Sequence, residues 1–273
     1  MDSNDALIKY RADLNVASIT LDAPQRRNAL STRMIAELRE AVAKAVADPV
    51  VRVIVIDHTG PVFCAGADLK ESAAATRLED LPAAHLAELL ADLCEAPKPV
   101  VVAAGGGAKG GGMGLIAAAD LVVAAAAAPM SFSEVRLGVV PAVIAPVVAR
   151  KLDQGLMRRL FLTGESFDAV RAEAWGLVTH AVAPEALTDR RGALAASLLA
   201  GGPSAQAGIK VLTATPDLRE RLREAAALTA EFFFSEEGRE GVRSFIEKRA
   251  ASWVGLPAAD RPDRSLHCAQ SWP

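Results

Sequence analysis

Two glycine-rich loops and one glutamate carry the residue types best suited to chemistry. In "KGGGMGL" (109–115), three successive glycines precede an apolar run. Backbone N–H groups at the start of a helix are unpaired and carry partial positive charge. Such a loop could bind a phosphate or an oxyanion that forms on a carbonyl, or it could be only a tight strand–helix turn. It lacks the Lys-Ser/Thr ending and the GxGxxG spacing of the common nucleotide-binding loops.

The second loop is "VFCAGADLKE" (62–71), where small residues again follow an apolar run. Ala67 lies where a second backbone N–H could point at a ligand. Cys64 is predicted to be a small buried side chain, because no histidine is close in sequence to activate its thiol. Asp68 has the residue type and position to cap a following helix.

Glu134 stands in "SFSEVRLGVVP" (131–141), near the end of an expected strand and before an apolar run. Apolar surroundings disfavour the ionised carboxylate, which raises the pKa toward values useful for general acid/base work. The alternative is a surface ion pair between Glu134 and Arg136.

Short β-branched runs alternate with helical patterns around these loops. Strands are predicted at 16–22, 51–58, 98–104 and 121–126, and helices at 31–48, capped by Ser31, and 81–96. A further helix is expected to open within 115–119. This alternation predicts an α/β fold whose sheets are buried by helices. Nearly everything from 186 to 253 has a helical pattern, and the proline-rich tail 255–273 is predicted to be disordered.

The bulk properties exclude several classes of protein. The 273 residues are 51% hydrophobic and 23% charged, as in a globular protein. A formal net charge of −3 provides no electrostatic footprint for nucleic acid or an anionic membrane surface. Three cysteines without CxxC spacing, and no signal-peptide pattern at the N-terminus, predict a cytoplasmic protein without structural disulfides or a metal site.

Five motifs together resemble the enoyl-CoA hydratase/isomerase (crotonase) superfamily. In order they are "LDAPQRRNALS" (21–31), "GPVFCAGADLKE" (60–71), "KPVVVAAGGGAKGGGMGLIAAADL" (98–121), "SEVRLGVVP" (133–141) and "RRLFLTGESFDAVRAEAWGLVTHAV" (158–182). The resemblance implies a ββα spiral core that binds acyl-CoA over 1–185 and a C-terminal helical oligomerisation subdomain over 186–254. The implied assembly is a trimer or a dimer of trimers.

The resemblance also implies a site. The thioester carbonyl oxygen would be held by the backbone N–H groups of Ala67 and Gly111, with Glu134 as general acid/base. Coenzyme A would arrive as part of the substrate, so no separate cofactor is expected. Substrate contacts are implied for nine positions: Arg27, Ala29, Ala65, Asp68, Leu69, Gly110, Gly114, Phe245 and Lys248. The last two resemble positions that often reach a neighbouring subunit's coenzyme A, although they would equally suit an amphipathic helix face.

One departure from the family pattern leaves the reaction open. Hydratases with two carboxylates have a glutamate where this chain has Gly114, and the usual "GAGGTQRL" is replaced here by "AVIAPVVARKL" (142–152). The glycine at 114 with "SEVRLGVVPAVIAP" is closest to the branch of methylglutaconyl-CoA hydratases. Three functions follow: hydration with Glu134 as the sole acid/base, isomerisation of an enoyl-CoA, or acyl-CoA binding without turnover.

Overall fold

The computed structural model describes residues 6–255, and these form two sheets wrapped by helices. The larger sheet has six strands in the order β1-β2-β3-β5-β7-β10, and the smaller has four in the order β4-β6-β8-β9. The strands of the larger sheet are β1 (Ile8–Asp13), β2 (Val16–Leu21), β3 (Val53–His58), β5 (Val100–Ala104), β7 (Leu121–Ala125) and β10 (His180–Val182). Those of the smaller are β4 (Val62–Cys64), β6 (Gly107–Lys109), β8 (Met130–Ser131) and β9 (Ser166–Phe167).

The helices follow the strands in a repeating order. They are α1 (Thr32–Ala47), α2 (Leu69–Ala74), α3 (Pro82–Glu95), α4 (Gly111–Ala118), α5 (Ala145–Val148), α6 (Gln154–Thr163), α7 (Ala169–Ala174), α8 (Leu187–Leu199), α9 (Pro203–Leu212), α10 (Leu218–Phe234) and α11 (Glu236–Ile246). Twice in succession the chain runs through one strand of the larger sheet, one of the smaller sheet and then a helix (β3-β4-α2 and β5-β6-α4). This is the predicted ββα spiral, which is therefore confirmed.

Parallel pairing explains why the central strands are apolar on both faces. β2 pairs with β3, β3 with β5, and β5 with β7, all in parallel. Every residue of β5 is buried, as expected when helices cover both sides of a parallel sheet. On one side Leu194, Leu198 and Leu199 of α8 pack on Val53, Val55 and Val101. The first C-terminal helix thus contributes to the core of the spiral.

Local signals in the sequence set several element bounds. α1 begins after Ser31, whose hydroxyl accepts a hydrogen bond from the Met34 N–H, as predicted. The expectation that a helix opens within 115–119 is wrong, because α4 already begins at Gly111. Glycine disfavours a helix, but close packing at the start of α4 requires glycine there. Glu134 lies in a 3₁₀ turn, Glu134–Leu137, which begins three residues after the last residue of the two-residue strand β8.

The predicted tail, 255–273, lies outside the described residues except for Gly255. Within residues 6–255, no helix has the length and apolar character needed to cross a lipid bilayer.

Candidate active site

In the loop after β4, hydrogen bonds to Leu30 fix the direction in which the Ala67 amide points. The Leu30 N–H donates to the Gly66 carbonyl at 2.8 Å, and the Asp68 N–H donates to the Leu30 carbonyl at 3.1 Å. These two bonds make a parallel bridge between Leu30 and Ala67. Peptide groups alternate in direction along an extended segment, so the Ala67 N–H faces the opposite side, where α4 begins.

The first turn of α4 meets this loop. Gly110 has φ +49° and ψ −120° and precedes the helix, a left-handed φ that glycine adopts without steric cost. Gly111 is the first helical residue, and amides in a first turn have no partner within their helix. A Cβ placed on Gly111 would lie only 3.9 Å from the Ala67 nitrogen. The two backbone segments therefore lie next to each other, and a shared ligand for their N–H groups stays a prediction.

Close packing explains the other glycines of "GGGMG". A Cβ on Gly112 would lie 2.7 Å from the Cys64 carbonyl oxygen, so α4 can approach β4 only without a side chain there. A Cβ on Gly114 would lie 2.6 Å from Cγ2 of Ile144. Gly114 is buried among apolar side chains and is not among the cavity-lining residues. Its predicted substrate contact is therefore wrong, because Ile144 fills the space in front of it.

Glu134 brings a carboxyl group to the same place. A Cβ on Gly110 would lie 3.2 Å from Glu134 Oε1, so the carboxyl group lies directly against the loop that precedes α4. Glu134 Oε2 is fully enclosed and has no hydrogen-bond partner among the described residues. Burial raises the pKa of Glu134 to about 7. The alternative of a surface pair with Arg136 is wrong, since no ion pair joins these two residues within 6–255.

A cavity of about 1740 Å³ collects the remaining predicted residues. Apart from Gly114, every residue of the predicted site lines it: Arg27, Ala29, Ala65, Ala67, Asp68, Leu69, Gly110, Gly111, Glu134, Phe245 and Lys248. Asp68 also caps α2, accepting from the Lys70 and Glu71 amides at 3.0 and 3.2 Å. Segments that are far apart in sequence thus meet in one cavity, and their individual roles stay predictions.

Sequence analysis missed a buried asparagine that shapes the cavity. The amide group of Asn28 donates to the Thr59 and Val62 carbonyls at 3.1 and 2.9 Å, and its oxygen accepts from the Ala23 N–H at 2.8 Å. Its φ of +50° is a left-handed conformation that asparagine tolerates better than most residues. These bonds fix the turn that presents Arg27 and Ala29 to the cavity. An Asn in "RRNALS" could have suggested such a turn.

The cations that line the cavity are exposed, whereas a set of mostly apolar lining residues is buried. The exposed cations are here called the cationic rim: Arg26, Arg27, Lys70, Lys109, Arg136, Lys248 and Arg249. Six of the buried lining residues away from the glycine loops are called the inner wall: Leu30, Ile35, Leu86, Val139, Val143 and Thr229. The lining acids Asp68, Glu71 and Glu134 are half-buried. Arg27 and Lys248 of this rim were expected from the family resemblance, whereas the other five cations are scattered along the sequence and were not predicted.

The C-terminal helices of the same chain complete the cavity. A Cβ on Gly241 of α11 would lie 2.1 Å from the Leu137 carbonyl oxygen, so α11 rests directly on the turn that carries Glu134. Beyond α11, Arg249 donates to both carboxylate oxygens of Glu240 at 2.6 and 2.8 Å. The Ser252 N–H donates to the same carboxylate at 3.1 Å. These contacts hold residues 247–252 at the edge of the cavity beside Phe245.

Comparison with known proteins adds independent information. A family model described as enoyl-CoA hydratase/isomerase matches residues 11–256. The crystal structure of an enoyl-CoA hydratase from Mycobacterium avium superposes with a TM-score of 0.82 at 38% identity, covering 92% of this chain and 100% of that one. An enoyl-CoA hydratase structure from Mycobacterium smegmatis superposes with a TM-score of 0.74 at 30% identity, covering 91% and 99%. Enoyl-CoA hydratase domain-containing protein 3 of Danio rerio is 30% identical over 247 residues, covering 87% of this chain and 84% of its own.

Proposed function

The chain belongs to the enoyl-CoA hydratase/isomerase family, and we propose that it adds water across the 2,3 double bond of an enoyl-CoA thioester. The thioester oxygen accepts hydrogen bonds from the Ala67 and Gly111 amides. Negative charge grows on that oxygen as the enolate forms, which is when fixed donors stabilise it most. Loss of one such donor typically costs on the order of 3 kcal/mol in the transition state.

Glu134 carries out both proton transfers in this proposal. Its carboxylate takes one proton from water as the water oxygen bonds to C3, and the resulting carboxylic acid then gives a proton to C2. The net change is addition of one water molecule, with Glu134 returned to its starting state. The supporting observation is that Glu134 Oε2 is enclosed without a partner among the described residues, in a carboxyl group that lies against Gly110 and in the same cavity as Ala67 and Gly111. A carboxyl group with a pKa of about 7 suits both steps.

Isomerisation is the second candidate, favoured by the packing at Gly114. Ile144 fills the space that a side chain at 114 would need, so no second carboxylate can stand there without repacking. Moving a double bond from C3–C4 to C2–C3 needs one group that takes a proton from C2 and returns one to C4. Glu134 alone suffices for that.

The phosphates of coenzyme A are proposed to lie at the cationic rim, where exposed Lys and Arg side chains favour anions. Coenzyme A enters as part of the substrate, and no separate cofactor is proposed. Assembly through the C-terminal helices, as a trimer or a pair of trimers, belongs to the same proposal.

An absorbance assay with three substrates tests the reaction. Loss of the conjugated thioester absorbance of crotonyl-CoA or 3-methylglutaconyl-CoA supports hydration, and a gain with a 3-enoyl-CoA supports isomerisation. Tight binding without either change would support the acyl-CoA-binding alternative and contradict an enzyme.

The variant Glu134→Gln keeps the shape of the side chain and removes the acid/base. We expect turnover to fall by about 100-fold or more, whereas Glu79→Gln, an exposed residue outside the cavity, leaves it unchanged. Full activity in Glu134→Gln would exclude Glu134 as the acid/base.

A further inference from the structure

The inner wall is built almost entirely from hydrocarbon. Leu30, Ile35, Leu86, Val139 and Val143 are each less than 9% exposed and line the cavity that also contains Glu134. Such a surface favours an aliphatic group and offers no hydrogen bond to a polar one.

Thr229 is the hydroxyl-bearing member of the inner wall, and its proton is already used. Its Oγ1 donates to the Ala225 carbonyl at 3.0 Å and accepts from the Val143 N–H at 3.0 Å. A hydroxyl has one proton to donate. Thr229 can therefore accept a further hydrogen bond but cannot donate one to an anion.

The charges of the cavity oppose an anion at depth. Each cation of the cationic rim belongs to an exposed residue, whereas Asp68, Glu71 and Glu134 are half-buried. Glu71 accepts a hydrogen bond from the Thr32 N–H at 3.1 Å, and Asp68 caps α2, so both acids are held in place by the backbone. A carboxylate beside the inner wall would meet acids and hydrocarbon, with the cations toward solvent.

We infer that this cavity selects acyl groups that are uncharged at their far end and rejects those that end in a carboxylate. The inference rests on the proposed function, since it places the acyl group of a coenzyme A thioester against the inner wall. An unpaired charge in such a wall loses its hydration without gaining a partner. 3-Methylglutaconyl-CoA, whose acyl group ends in a carboxylate, is consequently expected to be a poor substrate.

Binding of saturated thioesters tests this selection without any turnover. Valeryl-CoA and glutaryl-CoA have acyl chains of equal length and differ in that a methyl group of the first is a carboxylate in the second. Isothermal titration of the full-length protein should give a Kd for glutaryl-CoA at least tenfold higher than for valeryl-CoA. Equal Kd values, or tighter binding of glutaryl-CoA, would overturn the inference. If neither thioester binds, the proposed function itself fails.

A charged variant of the inner wall shows where the selection arises. In Val143→Lys, a cation faces the acyl group, and we expect the glutaryl/valeryl Kd ratio to fall by fivefold or more. Val143→Met is the matched control, because it has similar length and no charge, and it should keep the wild-type ratio. An unchanged ratio in Val143→Lys would show that the wall does not set the selection and would overturn the inference.

Two further variants check the inference independently of Val143. If Val143→Lys does not fold, Leu86→Lys with Leu86→Met as its control repeats the comparison at a second position of the inner wall. Glu134→Gln removes one of the three lining acids, and we expect it to lower the ratio by no more than about threefold. A ratio near one in Glu134→Gln would assign the selection to that single acid and contradict a role for the inner wall.

Discussion

The cationic rim and the inner wall belong to one cavity but have opposite chemistry. The rim consists of long, exposed cations on several segments of the chain, which act through charge over a distance and tolerate movement. The inner wall and the glycine loops are buried, and a single added methyl group at Gly112 would meet backbone atoms. We therefore expect changes at the rim to alter KM and its salt dependence, and changes at the glycine loops to alter kcat and stability.

The largest effect is expected from Gly112→Ala in the glycine loops. Its Cβ would lie 2.7 Å from the Cys64 carbonyl oxygen, so the two segments that carry Ala67 and Gly111 must separate. Displacement of catalytic groups by an ångström can cost about 100-fold in rate, and overpacking costs about 1–3 kcal/mol of stability. Steady-state kinetics and urea unfolding measure both quantities. The control is Gly208→Ala on α9, where nothing lies within 4 Å; we expect it to keep full activity.

The next effect concerns the pH dependence of stability. The pKa of Glu134 rises from 4.5 in the unfolded chain to about 7 in the folded protein. Between these pH values the folded state holds a proton that the unfolded state has lost, so the free energy of unfolding falls as pH rises. The full loss is roughly 3 kcal/mol above pH 7.

Glu134→Gln removes that titration. Its free energy of unfolding relative to the wild type should increase from pH 4.5 to 7 and then remain constant, as measured by urea unfolding at a series of pH values. If this difference does not depend on pH, the Glu134 carboxyl group ionises in the folded protein as easily as in the unfolded chain and is therefore solvated.

A smaller effect is expected at the cationic rim. Lys70→Met removes one exposed charge from the cavity entrance, and KM for an acyl-CoA substrate should rise about two- to fivefold at low salt, with kcat unchanged. The difference should shrink as salt screens the charge. Arg190→Met changes an exposed cation that does not line the cavity and should leave KM unchanged. A fall in kcat in Lys70→Met would contradict the separation between rim and glycine loops.

The smallest effect is expected at Glu240. The hydrogen-bonded Arg249 guanidinium lowers the pKa of Glu240 to about 2, so the pair stays ionised at neutral pH. Glu240→Gln weakens the contact that holds residues 247–252 beside the cavity, and we expect KM to rise about twofold with kcat unchanged. Glu236→Gln, an exposed residue in the first turn of the same helix, is the matched control. Equal KM values for the two variants would show that this contact does not position the substrate.

Much of the fold could be predicted because its signals are local. The strands β2, β3, β5 and β7 are short β-branched or alanine-rich runs, and α1 begins at a serine that caps it. The glycine loops and Glu134 could be named as candidates from their residue types, although a tight turn and a surface ion pair remained as alternatives until the structure was known. The pairing of these segments in one cavity came from the family resemblance and could not be derived from spacing alone.

What could not be predicted depends on tertiary contacts. Gly114 was predicted to contact substrate, but in the structure Ile144, which lies 30 residues later, is in front of it. The early start of α4 and the 3₁₀ turn of Glu134 are set by packing against β4 and α11. The contact from Thr229 to the Val143 amide joins residues 86 apart, and no pattern in the sequence indicates it.

The position of α11 on the turn of Glu134 bears on how copies of this chain would work side by side. Arg26, Arg27, Ser244 and Phe245 of one polypeptide line the same cavity as Glu134, Ala67 and Gly111, so a single copy contains the acid, the backbone donors and these lining residues. In a mixture of wild-type and Glu134→Gln copies, total turnover should scale linearly with the wild-type fraction. The Glu134→Gln copies would then neither lower nor raise the activity of the wild-type copies beside them.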